Sequence, residues 1–360
     1  MSAEEASETP DGVDIADGID HQVAMVMDLN KCVGCQTCTI ACKNLWTDSG
    51  GREYMYWNNV ETKPGEGYPR GWEELGGGWQ SDDHTDRQVG EIPDGEDYGE
   101  PWEFDYESTL FTGESEHVEP DSDPQWGPNW EEDQGAGEYP NSYHFYLPRI
   151  CNHCTHPSCV EACPRSAVYK RAEDGIVLVD QDRCRGYRYC VEGCPYKKIY
   201  YNAQRKKSEK CLFCYPRVEG EGPDGETHAP ACAEQCPTQL RLVGFLDDPK
   251  GPIYKLVEEY GVALRLHPEF RTQPNVYYIP PFAPPQHSED GETIDVERIP
   301  RNYLEDLFGE QVHDALDTIE RHRTRVENGG ESELMEILQD QNPARQYRLD
   351  VFEEGEGRAD

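Results

Sequence analysis

The chain alternates short apolar runs with long polar stretches, so regular elements are predicted at only a few places. Apolar runs typical of short strands occupy residues 21–28 (HQVAMVMD), 175–180 (GIVLVD) and 240–246 (LRLVGFL). Residues 252–260 and 303–328 are predicted to be helical, because apolar residues recur in the second of them every three or four positions. The resulting apolar stripe is predicted to pack on the chain's own surface rather than to form a partner groove. It comprises Leu304, Leu307, Phe308, Val312, Ala315, Leu316 and Ile319.

Residues 47–145 interrupt this pattern with a long stretch rich in Gly, Asp, Glu, Trp and Tyr. Its middle part, residues 81–133, is acidic and has almost no aliphatic periodicity, which predicts a surface insertion. Disordered chains are usually poor in aromatic residues, whereas this stretch has six tryptophans. The insertion is therefore predicted to pack on the protein core or on a partner. The tryptophans are Trp57, Trp72, Trp79, Trp102, Trp126 and Trp130. The proline-rich run at 279–285 is predicted to be an extended surface arm.

The charge of the chain indicates the solvent in which it folds. The 72 acidic residues outnumber the 33 basic ones, which gives a formal net charge of −39 over 360 residues. Self-repulsion at this density loosens a fold in dilute buffer, but molar salt shortens the Debye length to about 3 Å and removes most of the repulsion. The composition therefore predicts adaptation to high salt, as in a halophilic archaeon, rather than an ordinary acidic surface. It also argues against a nucleic-acid partner, which requires basic patches.

Membrane and export signals are also readable from the sequence. No window of 18 consecutive apolar residues is present, so no direct membrane span is predicted. Residues 1–20 form an acidic tail that has neither the basic nor the apolar region of a secretory signal. Export of this chain is therefore expected to require a partner that carries the signal.

The fifteen cysteines fall into two blocks, residues 32–42 and 151–236. An odd number of cysteines in short-spaced groups favours metal ligation over a disulfide framework. The spacing defines four groups, each with four ligand positions, and a tyrosine occupies one of those positions. The groups are Cys32, Cys35, Cys38 and Cys42; Cys151, Cys154, Cys159 and Cys163; Cys184, Tyr187, Cys190 and Cys194; and Cys211, Cys214, Cys232 and Cys236.

This spacing is that of bacterial ferredoxins, in which three cysteines surround one cluster and the fourth ligates a neighbouring cluster. Such exchange pairs the groups, and spacing alone allows either of two schemes. The first group can exchange with the fourth and the second with the third, or the first with the second and the third with the fourth. Four-cysteine zinc sites are the alternative, but they usually use two separated pairs of cysteines. His153 and His156 are not expected to bind metal, because cysteines already fill the second group.

Tyr187 leaves the third group one thiolate short. A bulky ring in the ligand position predicts a cluster of three irons and four sulfides, while water or hydroxide completing a four-iron cluster is the alternative. Basic residues are concentrated around the same groups, where cations stabilise anionic clusters or form a docking surface. They are Arg183, Arg185, Arg188, Lys197, Lys198, Arg205, Lys206, Lys207 and Lys210.

Three segments carry a family resemblance. Residues 150–164 (ICNHCTHPSCVEACP), 169–202 and 206–217 (KKSEKCLFCYPR) resemble the beta subunits of molybdenum oxidoreductases of the dimethyl sulfoxide reductase family. Residues 53–69 (EYMYWNNVETKPGEGYP) resemble the stretch after the first cluster motif in nitrate reductase beta subunits. An aromatic residue at position 187 is typical of that branch, although nitrate reductases commonly have tryptophan there. The acidic composition is similar to haloarchaeal members, which face outward.

The resemblance favours the exchange of the first group with the fourth and of the second with the third. It implies three [4Fe-4S] clusters and one [3Fe-4S] cluster, and no catalytic residue in this chain. The implied ligand sets are site 1 (Cys32, Cys35, Cys38, Cys236), site 2 (Cys42, Cys211, Cys214, Cys232), site 3 (Cys151, Cys154, Cys159, Cys194) and site 4 (Cys163, Cys184, Cys190, with Tyr187 in the ligand position).

The implied fold class is α+β, with two ferredoxin-like units around the clusters. One unit comprises residues 21–46 and 206–250, and the other comprises 146–205. The acidic aromatic insertion at 47–145 and the C-terminal arm and helices at 251–360 complete the chain.

The implied function is electron transfer between a haem-containing or other membrane anchor and a molybdenum catalytic alpha subunit that reduces nitrate. The resemblance implies a membrane-associated complex on the extracytoplasmic face, exported together with the catalytic subunit. Two alternatives remain open. The chain can serve a selenate or chlorate reductase, or a dimethyl sulfide or ethylbenzene dehydrogenase, or it can be a free multi-cluster ferredoxin.

Overall fold

The computed structural model describes residues 13, 15–99, 111–112, 124–127, 134–220 and 226–349. Its elements confirm the mixed α and β composition that the sequence predicts. The strands are β1 (Val23–Asp28), β2 (Asn59–Lys63), β3 (Phe145–Arg149), β4 (Val168–Lys170), β5 (Val177–Val179), β6 (Ile199–Asn202), β7 (Lys207–Lys210), β8 (Arg241–Phe245), β9 (Leu264–Arg265), β10 (Val276–Ile279), β11 (Pro285–His287) and β12 (Thr293–Glu297). The helices are α1 (Thr37–Trp46), α2 (Ser158–Glu161), α3 (Tyr189–Gly193), α4 (Tyr215–Val218), α5 (Ala231–Glu234), α6 (Pro252–Tyr254), α7 (Arg301–Phe308), α8 (Gln311–Glu327), α9 (Glu333–Gln339) and α10 (Pro343–Gln346).

A four-stranded sheet with the order β8-β1-β10-β9 lies at the centre. Strand β1 is antiparallel to β8 and parallel to β10. All six residues of β1 are buried, because protein packs on both faces of the sheet. Burial on both faces explains why this strand has a continuous apolar run instead of alternating polar and apolar residues.

The remaining strands form four two-stranded ribbons, β2-β3, β4-β5, β6-β7 and β11-β12. The β2-β3 ribbon joins the two ends of the region 47–145, since Asn59 is paired with Arg149 and Lys63 with Phe145. Aromatic residues of this region are buried in the main core rather than exposed at the surface. They are Trp57, Tyr68, Trp72, Trp79, Tyr98 and Trp126. Trp102 and Trp130 lie outside the described residues.

The C-terminal part differs from the single helix predicted at 303–328. Helix α7 ends at Phe308, and α8 begins at Gln311. Gly309 separates them with a φ of 79°, a left-handed conformation that a residue with a side chain rarely adopts and that interrupts a helix. The apolar stripe is buried against the chain itself, and Ile319 packs with the sheet residues Val26 and Leu242.

The two other segments predicted after residue 250 are also irregular in part. Helix α6 continues directly into a π-helical turn at Lys255–Glu259. Between β10 and β11 the proline-rich arm has no regular structure, and Asn30 holds it. The amide nitrogen Nδ2 of Asn30 donates to the carbonyl of Pro280 at 3.0 Å, and its Oδ1 accepts from the backbone N–H of Phe282 at 2.7 Å. None of the helices in the described ranges has the length and apolar composition needed to cross a bilayer.

A buried ion pair joins the two strands of the β2-β3 ribbon. One of its partners also bonds to the segment that follows the third cysteine group. Glu61 and Arg149 are 0% and 1% exposed, and their side chains approach to 2.5 Å. Arg149 also donates to the carbonyl oxygens of Tyr68 and Tyr196, and its guanidinium lies 3.7 Å from the centroid of the Trp72 ring. Burial raises the pKa of the Glu61 carboxyl, but Arg149 and Lys63 outweigh this effect and hold the pKa below its usual value. The pair is therefore charged and fully bonded.

Removing one partner of this pair is expected to be strongly destabilising. Arg149→Met leaves the buried Glu61 carboxylate without its hydrogen-bonded counter-ion, and we expect a loss of about 3–5 kcal/mol in the free energy of unfolding. The measurement is urea-induced unfolding in molar salt, followed by tryptophan fluorescence. Arg323→Met, which removes an exposed partner of Glu320 on α8, is the control and is expected to change stability little.

The double variant Glu61→Gln/Arg149→Met tests the physical reason. Because it buries no unpaired charge, we expect it to be more stable than Arg149→Met alone. Wild-type stability in Arg149→Met would contradict this account of the ion pair.

Candidate metal centres

Two short helices place cysteines of the first and fourth groups side by side. Helix α1 carries Cys38 and Cys42, which are four residues apart and therefore about 6 Å apart along the helix axis. Helix α5 carries Cys232, and Cys236 follows two residues after its end. The two helices pack against each other. Each helix region thus presents one thiol towards one end of the pair and another towards the other end.

The second and third groups repeat this arrangement. Helix α2 carries Cys159 and precedes Cys163, while α3 carries Cys190 and precedes Cys194. These helices also pack against each other, and the Ser158 hydroxyl donates to the carbonyl of Gly193 at 2.7 Å. The structure therefore brings the first group to the fourth, and the second group to the third.

Three cavities lie among these thiols. The cysteines of site 2 line one cavity, together with Trp46, Trp57 and Asn58. The cysteines of site 3 line a second cavity, which Lys198 and Tyr196 also border. A third cavity is lined by the three cysteines of site 4 and by Tyr187.

The thiols of site 1 lie nearer the surface. Cys38 and Cys236 are buried, Cys32 is half-buried and Cys35 is exposed. The thiol of Cys32 interacts electrostatically with those of Cys38 and Cys236, so thiols of the first and fourth groups lie close together here. The apolar side chains of Val33 and Ile40 beside this site are 60% and 53% exposed.

Tyr187 occupies the same backbone position in its loop as Cys35 does in the first group. Gly34 and Gln36 flank Cys35 with φ angles of 67° and 57°, and Gly186 and Arg188 flank Tyr187 with 69° and 66°. Gln36 and Arg188 are also the residues that precede α1 and α3. The Tyr187 side chain is 56% exposed and borders the site 4 cavity. A tyrosine thus stands where the equivalent loop holds a ligand thiol.

Hydrogen-bond donors point at several of the thiol sulfurs. The indole Nε1 of Trp46 donates to Cys214 at 3.2 Å, and the Arg241 guanidinium donates to Cys232 at 3.4 Å. Backbone N–H groups of Ala167, Ser208 and Phe213 donate to Cys163, Cys184 and Cys211 at 3.2, 3.4 and 3.4 Å. Such donors stabilise negative charge on sulfur and raise the reduction potential of a cluster that the sulfur ligates.

Burial opposes ionisation of these thiols. It raises the pKa of Cys32 to about 11 and that of Cys154, Cys190 and Cys232 to about 12. A thiolate in these positions therefore requires positive charge beside it, which bound iron would supply. All fifteen cysteines are free rather than paired in disulfides.

The donor set fits clusters better than single metal ions. Zinc lies about 2.3 Å from each of its sulfur ligands, which leaves no cavity between them. In the described part of the chain, no three His, Cys, Asp or Glu side chains are arranged to hold one metal ion. The thiols instead ring cavities, as residues that hold a polynuclear cluster would.

Buried cations surround the sites, and sequence reasoning identified only part of them. Lys198 is 1% exposed, and its ammonium donates to Asn59 Oδ1 and to the Tyr56 carbonyl. Burial lowers the pKa of Lys198 to about 7 and that of Lys197 to about 8. Arg241, which the sequence analysis did not single out, is 0% exposed. Its position in an apolar strand next to the fourth group is the signal that could have found it.

The insertion covers α3 and the sites beside it. The backbone N–H of Gly78 donates to Gly193, the Arg87 guanidinium pairs with Glu192 at 2.8 Å, and Arg188 donates to the carbonyl of Pro93. A Cβ on Gly77 would lie 2.9 Å from backbone atoms of Cys194 and Pro195. Residues 77–93 thus shield this edge of the cysteine sites from solvent.

The two histidines of the second group take different positions. His153 is buried, and its Nδ1 accepts the backbone N–H of Val177 at 3.0 Å. Its ring meets Phe213, a residue of the site 2 cavity, edge-on at 5.4 Å. His156 stacks on His84 at 3.9 Å. His153 therefore fixes the loop between sites 2 and 3 by a hydrogen bond. His156 holds the insertion by stacking on His84.

The thiol sites, the buried cations and the N–H donors define an iron–sulfur protein. Residues 142–246 match the family described as a 4Fe-4S dicluster domain. The respiratory nitrate reductase subunit beta of Haloferax mediterranei is 75% identical over 98% of this chain and 100% of its own length. The dimethylsulfide dehydrogenase subunit beta of Rhodovulum sulfidophilum is 56% identical over 89% of this chain and 96% of its own. For the respiratory nitrate reductase 1 beta chain of Escherichia coli these values are 37%, 81% and 77%.

This chain belongs to the family of iron–sulfur beta subunits that these respiratory nitrate reductases and dimethylsulfide dehydrogenase represent.

Restoring the missing thiol is expected to change the cluster at site 4. Tyr187→Cys places a thiol at the position equivalent to Cys35, so we expect a four-iron cluster in place of a three-iron one. The measurement is the three-iron EPR signal of the oxidised protein, which should be present in wild type and lost in the variant. Iron content should rise by one per chain.

Tyr189→Cys is the matched control, because Tyr189, the first residue of α3, is 46% exposed and lies between positions 187 and 190 without being a ligand position itself. It should retain the three-iron signal. A wild-type protein without that signal would contradict the assignment of site 4.

Proposed function

We propose that this chain is the electron-transfer subunit of a respiratory nitrate reductase complex. It passes electrons through four iron–sulfur clusters from a quinol-side partner to a molybdenum catalytic subunit. The observation that carries the proposal is the succession of four thiol sites, in which sites 1 and 2 share the α1-α5 pair and sites 3 and 4 share the α2-α3 pair. Sites 2 and 3 are neighbours, since the thiol of Cys211 interacts electrostatically with that of Cys151.

The ligand sets are proposed as follows. Sites 1, 2 and 3 each hold a [4Fe-4S] cluster with four thiolates, and site 4 holds a [3Fe-4S] cluster through Cys163, Cys184 and Cys190. The cavities among the thiols of sites 2, 3 and 4 support this assignment, as does the equivalence of the loops around Cys35 and Tyr187. Bound clusters supply one-electron redox chemistry.

The residues of the chain fix the positions of the clusters and control their surroundings. Buried thiols at each site would anchor a cluster through chain segments that are distant in sequence. Trp46, Arg241 and the backbone N–H groups stabilise negative charge on the ligand sulfurs. The insertion packs on the C-terminal end of α3, where the backbone N–H of Gly78 donates to the carbonyl of Gly193. None of these residues forms or breaks a bond in a substrate, so substrate chemistry belongs to another subunit.

The partners follow from the proposed role. An electron wire needs a donor and an acceptor, and its two end sites are both close to the surface. Cys35 and Val33 are exposed at site 1, and Tyr187 and Tyr189 are exposed at site 4. We assign the partners as a molybdenum-cofactor alpha subunit and a haem-containing or other membrane anchor. The complex is membrane-associated, on the extracytoplasmic face, and this chain is exported together with its catalytic partner.

Nitrate is the substrate best supported for the complex, because the 75% identity to a nitrate reductase subunit extends over nearly the whole chain. Another oxyanion or dimethyl sulfide is the second candidate. The beta subunits of a selenate reductase and a chlorate reductase are 54% and 55% identical, which exceeds the 37% of the Escherichia coli nitrate reductase chain. A free ferredoxin is disfavoured, because the whole-length relatives are named as subunits of enzymes.

The substrate is tested with the purified complex in molar salt. Reduced viologen is offered as electron donor with nitrate, chlorate or selenate, and the oxidation of dimethyl sulfide is assayed separately. We expect turnover of nitrate with the highest kcat/KM among the four substrates. A complex that is inactive on nitrate but active on another substrate would overturn the nitrate assignment and leave electron transfer intact.

The same complex tests the electron-transfer role separately. Cys214→Ser removes a ligand at site 2 and should abolish electron flow from a quinol analogue to nitrate. Activity with a viologen that reduces the catalytic subunit directly should remain. Equal quinol-dependent rates in the variant and in wild type would contradict the proposed route.

A further inference from the structure

The lysines of this chain are distributed unlike those of an ordinary soluble protein. Only eleven are present in 360 residues, and among the described residues only Lys206 and Lys250 are exposed. Four are buried, namely Lys63, Lys197, Lys198 and Lys210. A buried ammonium is costly unless negative charge compensates for it, so each buried lysine near the thiol sites calls for a specific partner there.

Arg241 lies between sites 1 and 2. Its guanidinium nitrogen Nη1 is 3.4 Å from the sulfur of Cys232, a site 2 thiol, and Nη2 donates to Asn58 Oδ1 at 2.7 Å. The same guanidinium interacts electrostatically with the thiols of Cys38 and Cys236 at site 1. Arg241 is fully buried in β8, where it is paired with Met27. One cation thus faces thiols of two neighbouring sites.

Lys198 lies in the same way between sites 2 and 3. Its side chain borders the cavity of site 3, and its backbone N–H bonds to the thiol of Cys194. Its ammonium turns towards Asn59 and Tyr56, and interacts with Cys42 and Cys211 of site 2. A second lysine, Lys210, interacts with Cys211 and with Cys159 of site 3. The junction between sites 2 and 3 therefore also contains buried amines, and negative charge on the neighbouring thiolates favours their cationic form.

We propose that Arg241 and Lys198 are junction cations, each of which raises the potentials of the two clusters on either side of it. This inference rests on the proposed ligand sets. Each electron adds one negative charge to a site, and a fixed cation that is shared by two sites stabilises that charge at both of them. A cation placed at a junction therefore raises the potentials of both adjacent sites, whereas a cation beside a single site acts mainly on that site.

The size of the effect follows from Coulomb's law. For unit charges about 10 Å apart in a medium of effective dielectric constant about 20, removing one charge changes an equilibrium constant about tenfold. For a one-electron couple, that change corresponds to about 59 mV. Both cations are shielded from water, so added salt does not screen them as it screens surface charges.

The experiment measures the midpoint potential of each cluster in the intact complex by EPR-monitored redox titration. Signals are assigned to sites by their loss in Cys→Ser variants. Lys198→Met keeps the shape of the side chain without its charge, and should lower the reduction constants at sites 2 and 3 about tenfold. Arg241→Met should do the same at sites 1 and 2. The reduction constant at site 4 should stay within twofold of the wild-type value in both variants.

Lys63→Met is the matched control. It removes an equally buried ammonium whose partner is the Glu73 carboxylate at 2.7 Å. The reduction constants of all four sites should stay within twofold of their wild-type values. Charge-retaining variants Lys198→Arg and Arg241→Lys should assemble all clusters with potentials close to wild type.

Every outcome decides the proposal. Unchanged midpoints in an assembled neutral variant, or equal shifts at all four sites, would overturn it. If neutral variants lose clusters while charge-retaining variants assemble them, the need for charge is supported; if both lose them, the residues act by packing and the proposal is wrong. Failure of the underlying ligand sets would appear earlier, as a wild-type complex without four cluster signals.

Discussion

The spacing of thiols four residues apart on short helices is the constraint on which the rest of this structure depends. The thiols of Cys38 and Cys236 interact electrostatically with that of Cys32, whereas those of Cys42 and Cys232 interact with that of Cys214. Two segments separated by about half the chain must therefore pack helix to helix for either site to be complete. The same rule holds for α2 and α3. Helices of four or five residues, which would not persist alone, are held here by packing against their partner helices.

The distribution of charge follows from the same constraint. Thiolate-ligated clusters are anionic, so the protein needs cations inside, while its net charge of −39 places acidic residues outside. Arg149, Lys198 and Arg241 are almost completely buried, and each has hydrogen bonds to fixed oxygen atoms. Surface acids and interior cations thus serve different purposes. High salt screens the first. Glu61 compensates Arg149, and clusters at the thiol sites would compensate Lys198 and Arg241.

The sequence could predict what local spacing encodes. The cysteine groups, the tyrosine in a ligand position and the strands at β1 and β8 are all visible in short windows. Non-local features were not visible in this way. Glu61 and Arg149 are 88 residues apart, and neither stands out in its own segment, so nothing in the sequence indicated that they form a buried pair. The break at Gly309 was missed because the apolar periodicity continues across it. The ligand sets needed the family resemblance, because spacing alone allowed two pairings.

The insertion was predicted only in outline. Its acidic composition indicated a surface segment, yet Trp72 and Tyr98 are buried, and Gly77 touches the backbone of Cys194. Close backbone approach through glycines leaves no apolar pattern in a sequence. The insertion is therefore part of the wall around the cysteine sites. Its composition does not indicate this role, so the role became visible only in the structure.

The central claim is that four clusters lie in succession in this chain, held by thiols that come from both cysteine blocks. X-ray diffraction from the intact complex at the iron absorption edge tests it most directly. We predict three groups of four iron atoms and one group of three, with the group of three beside Tyr187 and neighbouring groups bridged by α1-α5 and α2-α3. Isolated single-metal peaks, or an iron group bound by cysteines of the first and second groups together, would contradict the account.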